Sequence, residues 1–170
     1  MRKIKSIKFI TLAIAILGFT SVSLAQSASA TGSVRLLTPI SIIKNLDLRF
    51  GSVLTANAAG TVVIGHTGAA VRTMGSYTDL ATGADPFGAA QFTVSGTKSQ
   101  KFAVTLPSSI LLAGPGASLT VDSFTTDFTA GGTLDAAGTK IILVGAKLTI
   151  PANQEGGTYS GTFNVTVAYN

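Results

Sequence analysis

Short segments in which apolar and polar residues alternate dominate this sequence, and glycine-rich turns separate them. Phe102, Val104 and Leu106 form one such set, because every second residue of a strand lies on the same face of its sheet. Beyond residue 25 the chain is rich in Gly, Ala, Thr, Ser and Val, which favour strands and turns. We find no apolar stripe of helical spacing of useful length. The pattern predicts an all-β fold.

The number and length of these segments favour an antiparallel, immunoglobulin-like β-sandwich of about seven to nine strands over a small barrel. Pro39 and Pro151 interrupt strands in the way that sheet edges tolerate, which also favours the sandwich. Residues 65–89 contain no clear strand, so we expect a surface excursion there. The predicted strands are residues 34–44, 47–53, 61–66, 90–96, 101–106, 118–124, 139–150 and 158–169.

The N-terminal residues have the features of a secretory signal peptide. A basic start, with Arg2, Lys3, Lys5 and Lys8, precedes the short apolar run 9–19 and the small-x-small site Ser23-Leu24-Ala25. We therefore predict a signal peptide over residues 1–25 and a single domain over residues 26–170, with a retained N-terminal anchor as the alternative. The apolar run is shorter than the roughly 20 residues that span a bilayer, so we expect no membrane insertion of the mature chain.

The excess of basic over acidic residues in the whole chain comes mainly from this predicted signal peptide. Of 12 Lys and Arg residues, four lie in the first eight positions, which leaves eight cations against seven Asp and Glu residues. A nearly neutral domain gives no support for nucleic-acid binding, which needs a basic patch. The prediction is an exported domain without a nucleic-acid partner.

The side chains that usually carry chemistry are few. The chain contains no cysteine, and His66 is the only histidine. Asp79 and Asp85 flank a glycine, but carboxylates at turns usually bond their own backbone. Asp122, Asp127 and Asp135 form no tight pair in sequence, so a glycosidase dyad is unsupported. We expect no enzyme activity, no catalytic or metal-binding residue and no cofactor.

The last residues carry the most specific pattern. Phe163, Val165, Val167 and Tyr169 share one face of a predicted strand, Tyr169 is the second-last residue, and Gly157 is the fourteenth residue from the end. We expect a strand at this position to be fixed in a sheet or held by a partner. The glycine, the alternation and the penultimate tyrosine resemble the ending of subunits of chaperone-usher fimbriae.

A broader resemblance covers nearly the whole chain after residue 25. The chain is similar to a family of exported bacterial β-sandwich domains of unknown function, often described as fimbria-like. The resemblance implies a Gram-negative source. It supports an inference about the fold more strongly than one about the function. The matching segments are PISI (39–42), LDLRFG (46–51), FTVSG (92–96), VTLP (104–107), LDAAG (134–138), VGAKL (144–148) and QEGGTYSGTF (154–163).

The fimbrial resemblance implies a structural subunit of a surface fibre, with a role in cell adhesion, that assembles by β-strand addition. Its partners would be neighbouring subunits, a periplasmic chaperone and an outer-membrane usher, and its location the periplasm and then the cell surface. The assembly edge would comprise Gly157, Phe163, Val165, Val167 and Tyr169, unless these residues only close a complete core. The candidate donor strand lies in residues 26–36, where Ala28, Ala30, Gly32, Val34 and Leu36 alternate with polar residues.

A second function remains open on the sequence. A monomeric exported β-sandwich could act as a binding module for a glycan or a surface ligand, because loops at sandwich ends often carry binding sites. Tyr77 and Phe87, in the predicted excursion, are the candidate contact residues.

Overall fold

A computed structural model describes residues 25–67, 72–75, 85–128 and 131–170. The chain divides into two compact units, Met1–Arg35 and Leu36–Asn170. In the first unit the structure describes residues 25–35, which are exposed and belong to no strand or helix. Residues 1–24, and with them nearly all of the predicted signal peptide, lie outside the described residues.

In the second unit, the described residues form strands and connecting loops. Every strand pair is antiparallel. Among the described residues no helix is long and apolar enough to cross a membrane. The strands are β1 (Ser41–Leu46), β2 (Arg49–Phe50), β3 (Gly60–Ile64), β4 (Arg72–Met74), β5 (Phe87–Gly88), β6 (Ala90–Ser95), β7 (Lys101–Thr105), β8 (Ser109–Leu112), β9 (Leu119–Thr126), β10 (Gly132–Thr133), β11 (Thr139–Ile150) and β12 (Thr166–Tyr169).

The strands form two main sheets and one short ribbon. The larger sheet has the order β1-β6-β11-β3-β4, with β9 paired to β11 and β8 paired to β9. The smaller sheet has the order β10-β7-β12, and β2 pairs with β5. The long strand β11 connects the larger sheet, because its first half pairs with β6 and its second half with β3 and β9.

Buried apolar side chains form two clusters. Cluster one contains Val62, Leu119, Val121, Ala146, Leu148 and Ile150. Cluster two contains Ala90, Phe92, Val94, Phe102, Leu134, Ile142 and Val144. In cluster two, Phe102 of the smaller sheet packs with residues of β6 and β11 in the larger sheet. The two sheets therefore enclose a common core, and the predicted antiparallel β-sandwich is confirmed.

Three predicted strands are much longer than those observed, and one of them, predicted over residues 47–53, is limited to Arg49–Phe50. The first was expected over residues 34–44 but begins at Ser41, because residues 34–40 pair with no strand and Pro39 cannot donate a backbone hydrogen bond. The last was expected over residues 158–169 but is limited to Thr166–Tyr169. The strands β4, β5, β8 and β10 were not predicted, and β4 and β5 lie within residues 65–89, where a surface excursion without a clear strand was expected.

Candidate assembly surface

The strand β12 lies at one end of the smaller sheet. It pairs with β7 from Thr166 opposite Thr105 to Tyr169 opposite Phe102. In the order β10-β7-β12 no further strand of the described part of the chain follows it. An edge strand offers a row of backbone N–H and C=O groups to another chain. Among the described strands, β12 therefore has a hydrogen-bonded neighbour on one side only.

The apolar side chains of the terminal segment point into the domain itself. Phe163, Val165, Val167 and Tyr169 are half-buried and pack against cluster two, whereas the residues between them are exposed. The Phe163 ring lies 5.1 Å from the Phe124 ring and 6.4 Å from the Phe92 ring, centroid to centroid. The predicted face thus contributes to the core of its own domain, and the exposed residues of the segment are the polar or small ones between these four.

The Tyr169 hydroxyl fastens the end of β12 to two other segments. It accepts a hydrogen bond from the Thr97 N–H at 2.6 Å and donates one to the Thr38 carbonyl oxygen at 2.6 Å. A side chain at Gly96 would collide with this hydroxyl, so the close approach requires glycine there. Thr38 also donates its N–H to the Thr97 hydroxyl at 2.7 Å. The chain entering β1 is therefore fixed beside the last residues of β12.

A second tyrosine organises the opposite end of the terminal segment. The Tyr159 hydroxyl accepts hydrogen bonds from the Gly116 N–H at 3.0 Å and the Gln154 side-chain amide at 2.7 Å. It donates to the Glu155 carbonyl oxygen at 2.9 Å. Next to it, Ser160 and Ala113 exchange two backbone hydrogen bonds of 2.8 and 2.9 Å. These contacts hold residues 154–160 against the loop that follows β8.

Gly157 lies in this segment with φ near 152°, a backbone conformation that residues with a side chain rarely adopt. A Cβ atom there would approach the Pro115 ring to 2.6 Å. Both observations require glycine at this position. Local packing therefore accounts for the glycine, and its role in assembly stays a prediction.

A cleft of about 620 Å³ opens between residues 48–55 and residues 154–163. The exposed residues Arg49, Asp85 and Glu155 are among those that line it. Its floor is apolar and includes members of cluster one; the floor residues are Ile110, Leu112, Leu119, Val121, Leu148 and Ile150. No sequence pattern predicts the cleft, because its two walls lie about a hundred positions apart in the chain.

The candidate donor residues Ala28, Ala30, Gly32, Val34 and Leu36 belong to no strand. The side chains of Val34 and Leu36 are 84% and 87% exposed. The structure thus leaves the two large apolar residues of the predicted donor strand in contact with solvent.

The residues that the sequence suggested as candidates for catalysis, metal binding or ligand contact interact with nearby side chains where the structure describes them. His66 Nδ1 lies 3.0 Å from the Thr125 hydroxyl. Asp85 accepts a hydrogen bond from the Ser52 hydroxyl, and the Phe87 ring lies 4.3 Å from the Arg72 guanidinium. Tyr77 and Asp79 fall outside the described residues. No group of three or more potential metal ligands occurs in residues 25–67, 72–75, 85–128 and 131–170.

Two aspartates have lowered pKa values with clear causes. The Ser123 hydroxyl, and after it Lys147 at 3.0 Å, lower the pKa of Asp122. Asp135 accepts hydrogen bonds from the backbone N–H groups of Thr139 and Ala137, which hold its pKa below the ordinary value. Asp135 therefore stabilises the turn before β11.

The fold defines a β-sandwich domain whose strand β12 lies at the edge of the smaller sheet. Residues 40–169 match the family model described as a domain of unknown function, DUF4402, and the chain belongs to that family. No curated protein and no solved structure matches the chain. The predicted membership in a domain family of unknown function is confirmed.

Proposed function

We propose that this protein is a non-enzymatic structural subunit of a fimbria-like surface fibre, exported from the cell and assembled by β-strand addition. The observation that carries the proposal is the free edge of β12 in the smaller sheet. Backbone groups along such an edge supply affinity for an added strand, and side chains on alternate positions supply specificity. The added strand would come first from a periplasmic chaperone and then from a neighbouring subunit.

The cleft supports the same proposal. It lies beside residues 154–163, which precede β12, and its floor is continuous with cluster one. A sandwich that lacks one strand would leave this kind of apolar opening between its sheets, next to an unpaired edge.

Assembly can be tested on the exported protein by size-exclusion chromatography and negative-stain electron microscopy. The intact protein is expected to form chains of copies, whereas a variant lacking residues 26–36 is expected to be a folded single copy. Circular dichroism confirms that the deletion variant is folded. A stable monomer from the intact protein, with no tendency to associate when its chaperone is absent, would contradict the proposal.

The size of the cleft favours one second candidate function. Its volume of about 620 Å³ lies in the range of roughly 300–1,000 Å³ that small-molecule pockets occupy. A monomeric binding module for a glycan or surface ligand is therefore the alternative. Binding to a glycan array by a protein that stays monomeric, with loss of binding in the cleft variants Arg49→Ala and Leu54→Ser, would favour it.

A further inference from the structure

We propose that the outer face of the larger sheet is a lateral contact between copies of this chain, an inference that rests on the proposed fibre. Each copy would present this face to the same face of a copy in a neighbouring fibre, so that fibres associate side by side. The outer face consists of three residues from each of β1, β6 and the first half of β11, namely Ser41, Ile43, Leu46, Gln91, Thr93, Ser95, Thr139, Ile141 and Leu143.

The strand register arranges these residues in three rows that cross β1, β6 and β11. In the middle row, Thr93 pairs with Ile43 on one side and with Ile141 on the other. The buried residues Phe92 and Ile142 alternate with this row along their strands and belong to cluster two. The nine side chains therefore point away from the core. The other two rows are Leu46, Gln91 and Leu143, and Ser41, Ser95 and Thr139.

The outer face is apolar along its two flanking strands and polar along β6. Ile43 is 66% exposed, Ile141 is 52% exposed and Leu46 is 47% exposed, and all three lie in β1 or β11. None of the nine residues is charged. The centres of protein interfaces are depleted of charged residues. The outer face therefore has the composition of a contact surface.

The polar groups at the middle of the face have partners within the chain. Asn45 Nδ2 donates a hydrogen bond to the Thr93 hydroxyl at 3.1 Å, and this hydroxyl donates to Asn45 Oδ1 at 3.2 Å. Beside the face, Lys44 forms an ion pair with Asp47 at 2.6 Å. Burying a polar group costs free energy unless the group is hydrogen-bonded. Because the Thr93 hydroxyl is already hydrogen-bonded, a second copy can cover it at a lower cost.

The symmetry of the rows identifies the occupant as a second copy of this chain. A two-fold axis along β6 exchanges the two flanking strands, so β1 of one copy lies against β11 of the other. Ile43 then meets Ile141 of the second copy, and Thr93 lies on the axis. The row of Leu46, Gln91 and Leu143 matches itself in the same way. An isologous interface requires this self-complementarity, whereas a charged partner would find no opposite charge on the nine residues.

The size of the face decides between a stable dimer and a contact between fibres. Three strands about 4.8 Å apart, with five positions each at about 3.3 Å, cover roughly 15 Å by 15 Å with their side chains. This is about 200–250 Å², whereas an interface of standard size buries about 800 Å² on each partner. Two single domains should therefore separate easily. Copies held in a row along two fibres add many such contacts at a high effective concentration.

Single-cysteine variants test the contact directly, because the chain has no cysteine of its own. Thr93→Cys places a thiol on the proposed axis, so two copies of the same variant can be joined by a short thiol-reactive linker. Facing sheets pack about 10 Å apart, which sets the length of the linker. Thr149→Cys is the matched control, since Thr149 is also half-buried and points outward from β11 but lies outside the face. Mass spectrometry measures the yield of cross-linked dimer in the exported, assembled protein.

We expect Thr93→Cys to give at least roughly tenfold more cross-linked dimer than Thr149→Cys, because only the proposed contact holds two thiols at a high effective concentration. Adding Ile43→Lys should remove most of this excess, since it places an ammonium group against Ile141 of the second copy. Adding Leu111→Lys should leave it unchanged, because Leu111 is 63% exposed on β8, outside the face. Equal yields at the two cysteine positions, or equal losses with the two lysines, would overturn the inference.

Negative-stain electron microscopy separates this inference from the proposed function. Fibres of the unsubstituted protein and of Leu111→Lys should lie side by side in bundles, whereas Ile43→Lys should give single fibres. Circular dichroism confirms that both variants are folded. Bundles of equal width in Ile43→Lys would reject the lateral contact and leave assembly by strand addition intact. The absence of fibres from every variant, including the unsubstituted protein, would reject the proposed function and this inference with it.

Discussion

Replacing Tyr169 by phenylalanine should destabilise the domain through the loss of one hydroxyl. The hydroxyl makes two hydrogen bonds of 2.6 Å, to the Thr97 N–H and the Thr38 carbonyl oxygen. Each typically contributes about 0.5–1.5 kcal/mol, and a partly buried N–H left without a partner adds to the loss. Thr38 is exposed, so its carbonyl can bind water instead. The expected loss in the free energy of unfolding is about 2 kcal/mol.

Urea unfolding at neutral pH measures this loss. With a urea dependence of about 1–3 kcal/mol per molar, the midpoint should fall by roughly 1 M. Hydrogen exchange gives an independent reading, because the Thr97 amide loses its acceptor and should exchange faster. Ala168→Ser, at an exposed position of the same strand, is the control and should stay within about 0.5 kcal/mol. A change in Tyr169→Phe no larger than the control would refute the role of the hydroxyl.

Three further substitutions test other parts of the structure. Gly114→Ala should lower the free energy of unfolding by about 1–3 kcal/mol in calorimetry, because its Cβ would collide with the Tyr159 ring. Gly156→Ala is the control and should lower it much less, because a Cβ there meets nothing within 4 Å. Equal losses in the two variants would contradict this contact. Phe102→Ala should cost about 3–5 kcal/mol in urea unfolding, since the side chain is fully buried in cluster two; a loss below about 1 kcal/mol would contradict this. Asp135→Asn should make stability depend less on acid pH. The lowered pKa of Asp135 stabilises the fold above about pH 4, and this contribution is lost as the pH falls through the folded-state pKa. An equal loss of stability to urea between pH 6 and pH 3 in the two proteins would exclude that role.

Local alternation was enough to locate the interior strands. The predicted segments 90–96, 101–106 and 139–150 correspond closely to β6, β7 and β11, each of which buries residues on one face. The segment 139–150 matches β11 at both ends. In these strands the alternation of the sequence agrees with the observed pairing, because each strand has a neighbour on both sides or buries one face in the core.

Alternation could not show where pairing stops. Phe163 and Val165 alternate as Val167 and Tyr169 do, yet only the last two lie in β12. The pattern reports which side chains face a core, whereas a strand also needs a backbone neighbour, and that neighbour comes from a distant part of the chain. The cleft and the contact between Tyr169 and Gly96 depend on the same distant approach, so the sequence alone did not locate them.

The small side chains of the N-terminal segment constrain how strong the proposed assembly contact can be. Alanines at positions 28 and 30 bury little area, so Val34 and Leu36 carry most of the apolar contribution, about 3–6 kcal/mol in total when fully buried. Association of two proteins costs about 4–15 kcal/mol in lost rigid-body freedom, which these two side chains cannot offset with a margin. The remaining stabilisation has to come from backbone hydrogen bonds along the edge of β12, each contributing about 0.5–1.5 kcal/mol. Strand addition to unpaired backbone, and not simple hydrophobic docking, is therefore the form of contact that this segment can sustain.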